Sequence, residues 1–140
     1  MRFFTYMGIG FLVILLGTSL SVTRAAADNY QNNTIWQTED LYWRDHYISR
    51  PYYRNETDYS YYAPAYRYGF DMYNQYKGKA YEKLNESALR ENWNANHRDT
   101  GLSWQDARGP AQDAYNRMYE RQNLSENATG NPKFMEMASD

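Results

Sequence analysis

A chain of 140 residues with a formal net charge of −2 and no cysteine has room for one modest domain, which must stand without disulfides. Its mildly acidic overall charge gives no general electrostatic grip on nucleic acid or on anionic headgroups, so neither a nucleic-acid partner nor membrane attachment by overall charge is expected.

Residues 1–27 read as a secretory signal. Arg2 supplies a positive start and Gly8 to Gly17 a short apolar run. Ala25-Ala26-Ala27 places the cut before Asp28. Even extended to Val22, the run is shorter than the about 20 apolar residues of a spanning helix. A periplasmic or secreted protein is therefore expected; the alternative is an inner-membrane anchor through residues 8–22, the one route to a membrane. Removing Arg2 and Arg24 takes the formal charge from −2 to −4. Residues 28–140 hold no valine, seven leucines and isoleucines together, and two phenylalanines. Such aliphatic poverty is a mark of disorder, but fifteen tyrosines and four tryptophans remain. Each aromatic can bury roughly 150–250 Å², so rings can replace the missing leucines.

Residues 28–37 are polar and asparagine-rich and are expected to be a linker before a helical domain over 38–121. Thr38-Glu39-Asp40 can start a helix over 39–48, with acids at its positive end, and Pro51 stops it. Arg50 to Ser60 reads as an ordered wrap. A second helix is expected over 64–77, with Tyr62, Tyr66, Phe70 and Tyr73 as its apolar stripe and Gly69 as an internal cost. Two further helices follow over 80–96 and 103–121. Their starts are alike: Gly78-Lys-Ala-Tyr81 and Gly101-Leu-Ser-Trp104 lie 23 residues apart, which either chance or a weak duplication explains. Ser103 and Asp106 have cap spacing. Gly109-Pro110 demands a kink or a late start. Residues 122–140 are expected as a disordered tail. The predicted fold is all-α: a small three- to four-helix domain with a tyrosine and tryptophan core and disordered tails. Tyr66, Phe70, Tyr73, Leu84, Trp93, Trp104, Ala107 and Met118 are its expected core.

Catalytic chemistry finds little support. His46 beside Asp45, with Glu56, is the only plausible polar group for an enzyme, and a solvated helix face explains it better. His97 fits a helix end. Glu82 and Glu86, one turn apart, lack the histidine that helical metal sites add. There is no phosphate loop, nucleophile elbow or triad pattern. The protein is therefore expected to be no enzyme and to need no cofactor or metal. Five Asn-X-Ser/Thr sequons, from Asn32 to Asn127, carry meaning only in a eukaryotic secretory protein.

The strongest functional signal is the tyrosine and arginine segment. Twelve of the sixteen tyrosines fall between Tyr42 and Tyr81. Arg44, Arg50, Arg54 and Arg67 are placed to lie over aromatic faces. Arg50, Tyr52, Tyr53, Arg54, Tyr61, Arg67 and Tyr68 are the candidate binding residues. Tyrosine and arginine are the residues of interface anchors, which favours a protein partner or self-association. The alternative is a glycan or peptidoglycan module, with Tyr52, Tyr53, Tyr61 and Tyr68 stacking on sugar rings of the cell wall.

Tyr42-Trp43-Arg44, Arg50-Pro51-Tyr52, Tyr62-Ala-Pro64-Ala-Tyr66-Arg-Tyr68-Gly69, Leu89-Arg90 with Trp93, and Leu102-Ser-Trp104 with Ala107-Arg108 together resemble a family of small uncharacterised bacterial proteins. The resemblance spans residues 42–119. It implies a bacterial source and a stress-associated setting, with chance sequons, and carries no activity. Two departures stand out: the export segment, and Gly109-Pro110 where a continuous helix ending in tryptophan is implied, Tyr115 standing in that tryptophan's place.

Overall fold

The computed structural model describes residues 12–128, with side chains from Thr23 to Asn127. Four α-helices carry the fold: α1 (Leu12–His46), α2 (Tyr59–Gln75), α3 (Glu86–Asn96) and α4 (Trp104–Ala128), with short 3-10 turns at 47–49, 81–83 and 98–100. The fold is all-α with an aromatic core, and no strand occurs among the described residues. Two compact units divide between Thr38 and Glu39.

In the first unit the residues expected as a linker, 28–37, are helical. No glycine or proline lies between Gly17 and Pro51, so nothing interrupts the helix. Its hydroxyls are absorbed locally: Thr34 donates to the Tyr30 carbonyl at 3.1 Å and Thr38 to the Thr34 carbonyl. The signal expected over 1–27 lies partly outside the described residues. No described helix is long and apolar enough to cross a membrane.

In the second unit α1 ends at His46, and Arg50, extended at ψ 147°, leads into Pro51. α2 begins at Tyr59, five residues before Pro64, because Asp58 caps it by accepting from the Ser60 amide at 2.7 Å. The helix expected over 80–96 is divided. Tyr81–Lys83 form one 3-10 turn, Leu84 is extended, and Asn85 starts α3 by accepting from the Ala88 amide at 3.2 Å. Gly78 and Gly101 share a left-handed φ, 81° and 68°. The alike segments thus share a turn and then diverge, one into a 3-10 turn, the other into α4. Ser103 caps α4 as expected, its Oγ 3.3 Å from the Asp106 amide. α4 starts before Gly109-Pro110, runs through both, and continues to Ala128, past the tail boundary expected at 122. Gln122 explains the extension: it accepts from the Tyr73 hydroxyl and donates to Glu126. The rest of that expected tail, 129–140, lies outside the described residues.

α2 is the central helix, and α4 is its main neighbour. The two approach so closely that a Cβ on Gly69 would stand 2.0 Å from the Ala111 carbonyl oxygen. One side of α2 carries Tyr59, Tyr62 and Tyr66, with Trp43 of α1 stacked on Tyr66 at 4.4 Å. An adjoining flank carries Ala65 and Tyr68, which together with Tyr73 of the first face pack with Leu89, Trp93, Leu102, Trp104, Ala107, Ala111 and Tyr115. Of the expected core, Tyr66, Phe70, Tyr73, Trp93, Trp104 and Ala107 are buried. Leu84 and Met118 pack at its edge.

Candidate binding pocket beside Trp43 and Arg50

Burial on two sides of α2 decides the fate of the tyrosine and arginine segment. Tyr68 is 3% exposed. It edges onto Trp93, Trp104 and His97, and its hydroxyl donates to the Leu89 carbonyl at 2.9 Å. It is a core residue and not a stacking platform, because it falls on the flank of α2 that faces α3 and α4. The remaining candidates are spread out. Arg67 pairs with Asp71 at 3.0 Å and lies over Phe70. Arg54 pairs with Asp106. Tyr61 edges onto Tyr62, and Tyr53 onto Tyr47. Three of the four expected cation–π contacts form: Arg44 over Tyr59 at 4.7 Å, Arg50 over Trp43 at 5.1 Å, and Arg67 over Phe70 at 5.7 Å.

Tyr52 and Arg50 belong to one network. The ring of Tyr52 lies on Gly109 of α4, where a Cβ would come within 2.7 Å of it. Its hydroxyl is 2.8 Å from both Asp113 Oδ2 and the Tyr66 hydroxyl. A carboxylate only accepts, so Tyr52 gives its one proton to Asp113 and receives one from Tyr66. Burial, with the Tyr66 hydroxyl and the Asp113 carboxylate, holds the Tyr52 phenol far above its usual range. Tyr62 closes the wrap from the other side, accepting from the Arg54 amide at 3.0 Å and donating to the Tyr52 carbonyl at 3.3 Å.

Beside this network a pocket of ≈ 210 Å³ opens between α1 and α4, walled by Tyr42, Trp43, Arg50, Asp113, Asn116, Arg117 and Glu120. Glu39, 1% exposed, anchors the wall by accepting from Arg117 at 2.7 Å and from Arg121. Arg117 also lies 3.3 Å over the centroid of Tyr42, whose ring stacks on His46 at 3.9 Å. Groups that close to one centroid cannot share a face, so both faces of Tyr42 are covered. Tyr66 and the Arg50 guanidinium likewise lie over the Trp43 ring. Two buried donors in the wall have no acceptor: the indole Nε1 of Trp43 and the Nε of Arg50. Arg50 Nε lies 3.6 Å from Asp113 Oδ2, near enough to attract and too far to hydrogen-bond. The pocket thus has two unpaired N–H groups buried in its wall and polar edges around it, and no bare ring.

Of the candidate binding residues only Arg50 lines this pocket; Trp43, Asp113, Asn116 and Arg117, with Glu39 behind them, were not among the candidates. Asp113 and Arg117 have the spacing of an exposed helical pair. Their real partners lie far back in the chain, where no local pattern reaches. Asp45, His46 and Glu56 are all exposed. The His46 Nδ1 is engaged with the Tyr42 carbonyl at 2.7 Å. No group of three or more metal-ligating side chains gathers among the described residues. No protein-family model matches the chain, and no curated protein or solved structure matches it either.

Proposed function

We propose that this chain is an exported, non-catalytic interaction protein of the bacterial envelope, associated with stress, and that it holds a protein partner or a second copy of itself. The observation that supports this reading is the pair of acceptorless donors, Trp43 Nε1 and Arg50 Nε, in one pocket. Buried donors without partners cost free energy, of the order of 1–3 kcal/mol each, which an incoming acceptor recovers. A main-chain carbonyl or a side-chain carboxylate of a partner fits that demand. The covered faces of Tyr42 and Trp43 weigh against sugar stacking in this pocket, so a cell-wall glycan is the competing ligand and not the leading one.

The experiment is a pull-down from envelope extract beside a binding assay on purified cell wall. It uses the parent chain, Arg50→Gln and Asn116→Ala, each first shown to melt near the parent. Capture of the same protein, lost in both variants, supports the reading. Saturable cell-wall binding lost in the variants, with no protein captured, overturns it in favour of the glycan. Mass spectrometry of the natural N-terminus tests export: a chain starting at Asp28 supports it, and an intact Met1 in the membrane fraction replaces it with an anchored form.

A further inference from the structure

A second cleft lies where α3 and α4 begin, and it shares no lining residue with the Trp43 pocket. Glu86, Ser87, Arg90, Trp104, Gln105 and Arg108 line two overlapping hollows there, the larger ≈ 440 Å³. Four of these residues occupy the first turns of their helices, Glu86 and Ser87 of α3 and Trp104 and Gln105 of α4. First-turn amides have no partner within their own helix. The caps do not reach them, because Asn85 takes the Ala88 amide and Ser103 takes that of Asp106. Both helices therefore turn a positive end toward the same space.

Side chains add an independent demand. Trp104 is 8% exposed, walls both hollows, and its indole Nε1 is buried without an acceptor. The Tyr81 hydroxyl, also buried without an acceptor, feels the charges of Glu86 and Arg108. Arg108 pairs with Glu86 at 2.9 Å, both about half exposed. Arg90, one turn further along α3, has no ion-pair partner among the described residues. Two guanidinium groups against one carboxylate leave the cleft cationic in a chain whose net charge is −2.

We infer that the α3–α4 cleft binds a phosphate group, held by Arg90, Arg108, the Trp104 indole N–H and the helix-start amides. A tetrahedral oxyanion suits donors that converge from several directions, and arginine meets it with paired N–H groups. Glu86 competes with the ligand for Arg108, so affinity is moderate and set by that carboxylate. The same chemistry is presented by a soluble phosphate ester and by an anionic phospholipid headgroup.

The test follows the Trp104 indole N–H resonance of the full chain while inorganic phosphate is added. A parallel arm measures co-sedimentation with vesicles containing phosphatidylglycerol against vesicles of phosphatidylcholine alone. Saturable movement of the indole resonance is expected. Arg90→Gln and Arg108→Gln should each weaken binding roughly tenfold, as loss of a charged hydrogen-bond partner does. Glu86→Gln should tighten it, an outcome that general charge attraction to a destabilised surface would not give. Vesicle binding that depends on Arg90 assigns the lipid as source; phosphate binding without it assigns a soluble ester. An indole resonance unmoved by phosphate and by either vesicle overturns the inference. So does binding that survives both arginine substitutions, or that Glu86→Gln weakens. All three side chains are solvent-accessible, and unchanged melting confirms that the variants fold.

Discussion

Gly69→Ala sets two physical effects against each other, and the structure says which wins. Helix propensity alone predicts a gain of about 1 kcal/mol, since Gly69 lies in the interior of α2. The new Cβ, however, would stand 2.0 Å from the Ala111 carbonyl oxygen and 2.9 Å from its Cα. Contacts below 3.0 Å are essentially never seen, so the helices must part by at least 1.0 Å. The obstacle is backbone and cannot swing aside as a side chain would. A radial gap of that size forfeits a quarter to a half of each dispersion contact, each about 0.1–0.2 kcal/mol. Over roughly forty atom pairs between α2 and α4, the loss is about 1–4 kcal/mol with a midpoint of about 2–3, in line with overpacked cores. Net of propensity, the variant should be destabilised by about 1–2 kcal/mol, and its Tm should fall by roughly 4–16 °C. Urea and thermal unfolding measure this directly. A variant as stable as the parent, or more so, would refute the close crossing of α2 and α4.

Three other perturbations probe different parts of the fold. Trp93→Ala should cost about 3–5 kcal/mol by urea denaturation, against only about 1–2 for Trp93→Phe, which mainly loses the bond from Nε1 to the Leu102 carbonyl at 3.0 Å. Glu39→Gln replaces the buried acceptor of Arg117 and Arg121; both arginines reach water, so about 1–3 kcal/mol is expected rather than the cost of a sealed pair. Alkaline pH should unfold the domain. Burial pushes the Tyr68 and Tyr81 phenols up to about 12 from 10.0, and Tyr52, Tyr59 and Tyr66 also rise. Raised values mean that the fold holds protons the unfolded chain has released, so this stability is whole below pH 10 and lost as pH climbs toward 12. Tyrosinate absorbance and helical circular dichroism should change together there; tyrosinate forming with the helix signal intact would show that the rings are open to solvent.

The helical class was legible because composition and period agree: Tyr66, Phe70 and Tyr73 keep the spacing of one face, and Ser103 with Asp106 marks a start. Three things were not. The length of α1 was hidden because asparagine-rich residues look like a linker, yet without glycine or proline they do not stop a helix. The break at Leu84–Asn85 was hidden because Asn85 reads as one more polar residue until its side chain is seen capping Ala88. The second buried flank of α2, which takes in Tyr68, was hidden because a single stripe assumes one packing partner and α2 has several. The pocket was the least legible, since Tyr52 and Asp113 are 61 residues apart and meet only through Gly109.

The two clefts have a common physical origin in the choice of tyrosine and tryptophan as core. An aliphatic core has no hydrogen bonds to place. Here every buried tyrosine and tryptophan brings a donor, and acceptors must be found for them. Tyr68 takes the Leu89 carbonyl, Tyr115 the carbonyls of Tyr76 and Lys79, Tyr59 the Asp40 carboxylate and Tyr52 that of Asp113. Arginine adds donors and no acceptor. Groups left without a partner include Trp43 and Arg50 in the wall of one pocket and Trp104 in the wall of the other. A ligand rich in acceptors would therefore complete the packing of this core, whereas a ligand that only offers a flat face would find Tyr42 and Trp43 already stacked. If that is the reason for the sites, binding should stabilise the fold as well as occupy it. Phosphate should raise the Tm of the parent and leave that of the Arg90→Gln variant nearly unchanged. A Tm indifferent to phosphate in the parent would separate the donor surplus from recognition and leave it as a cost of the aromatic core.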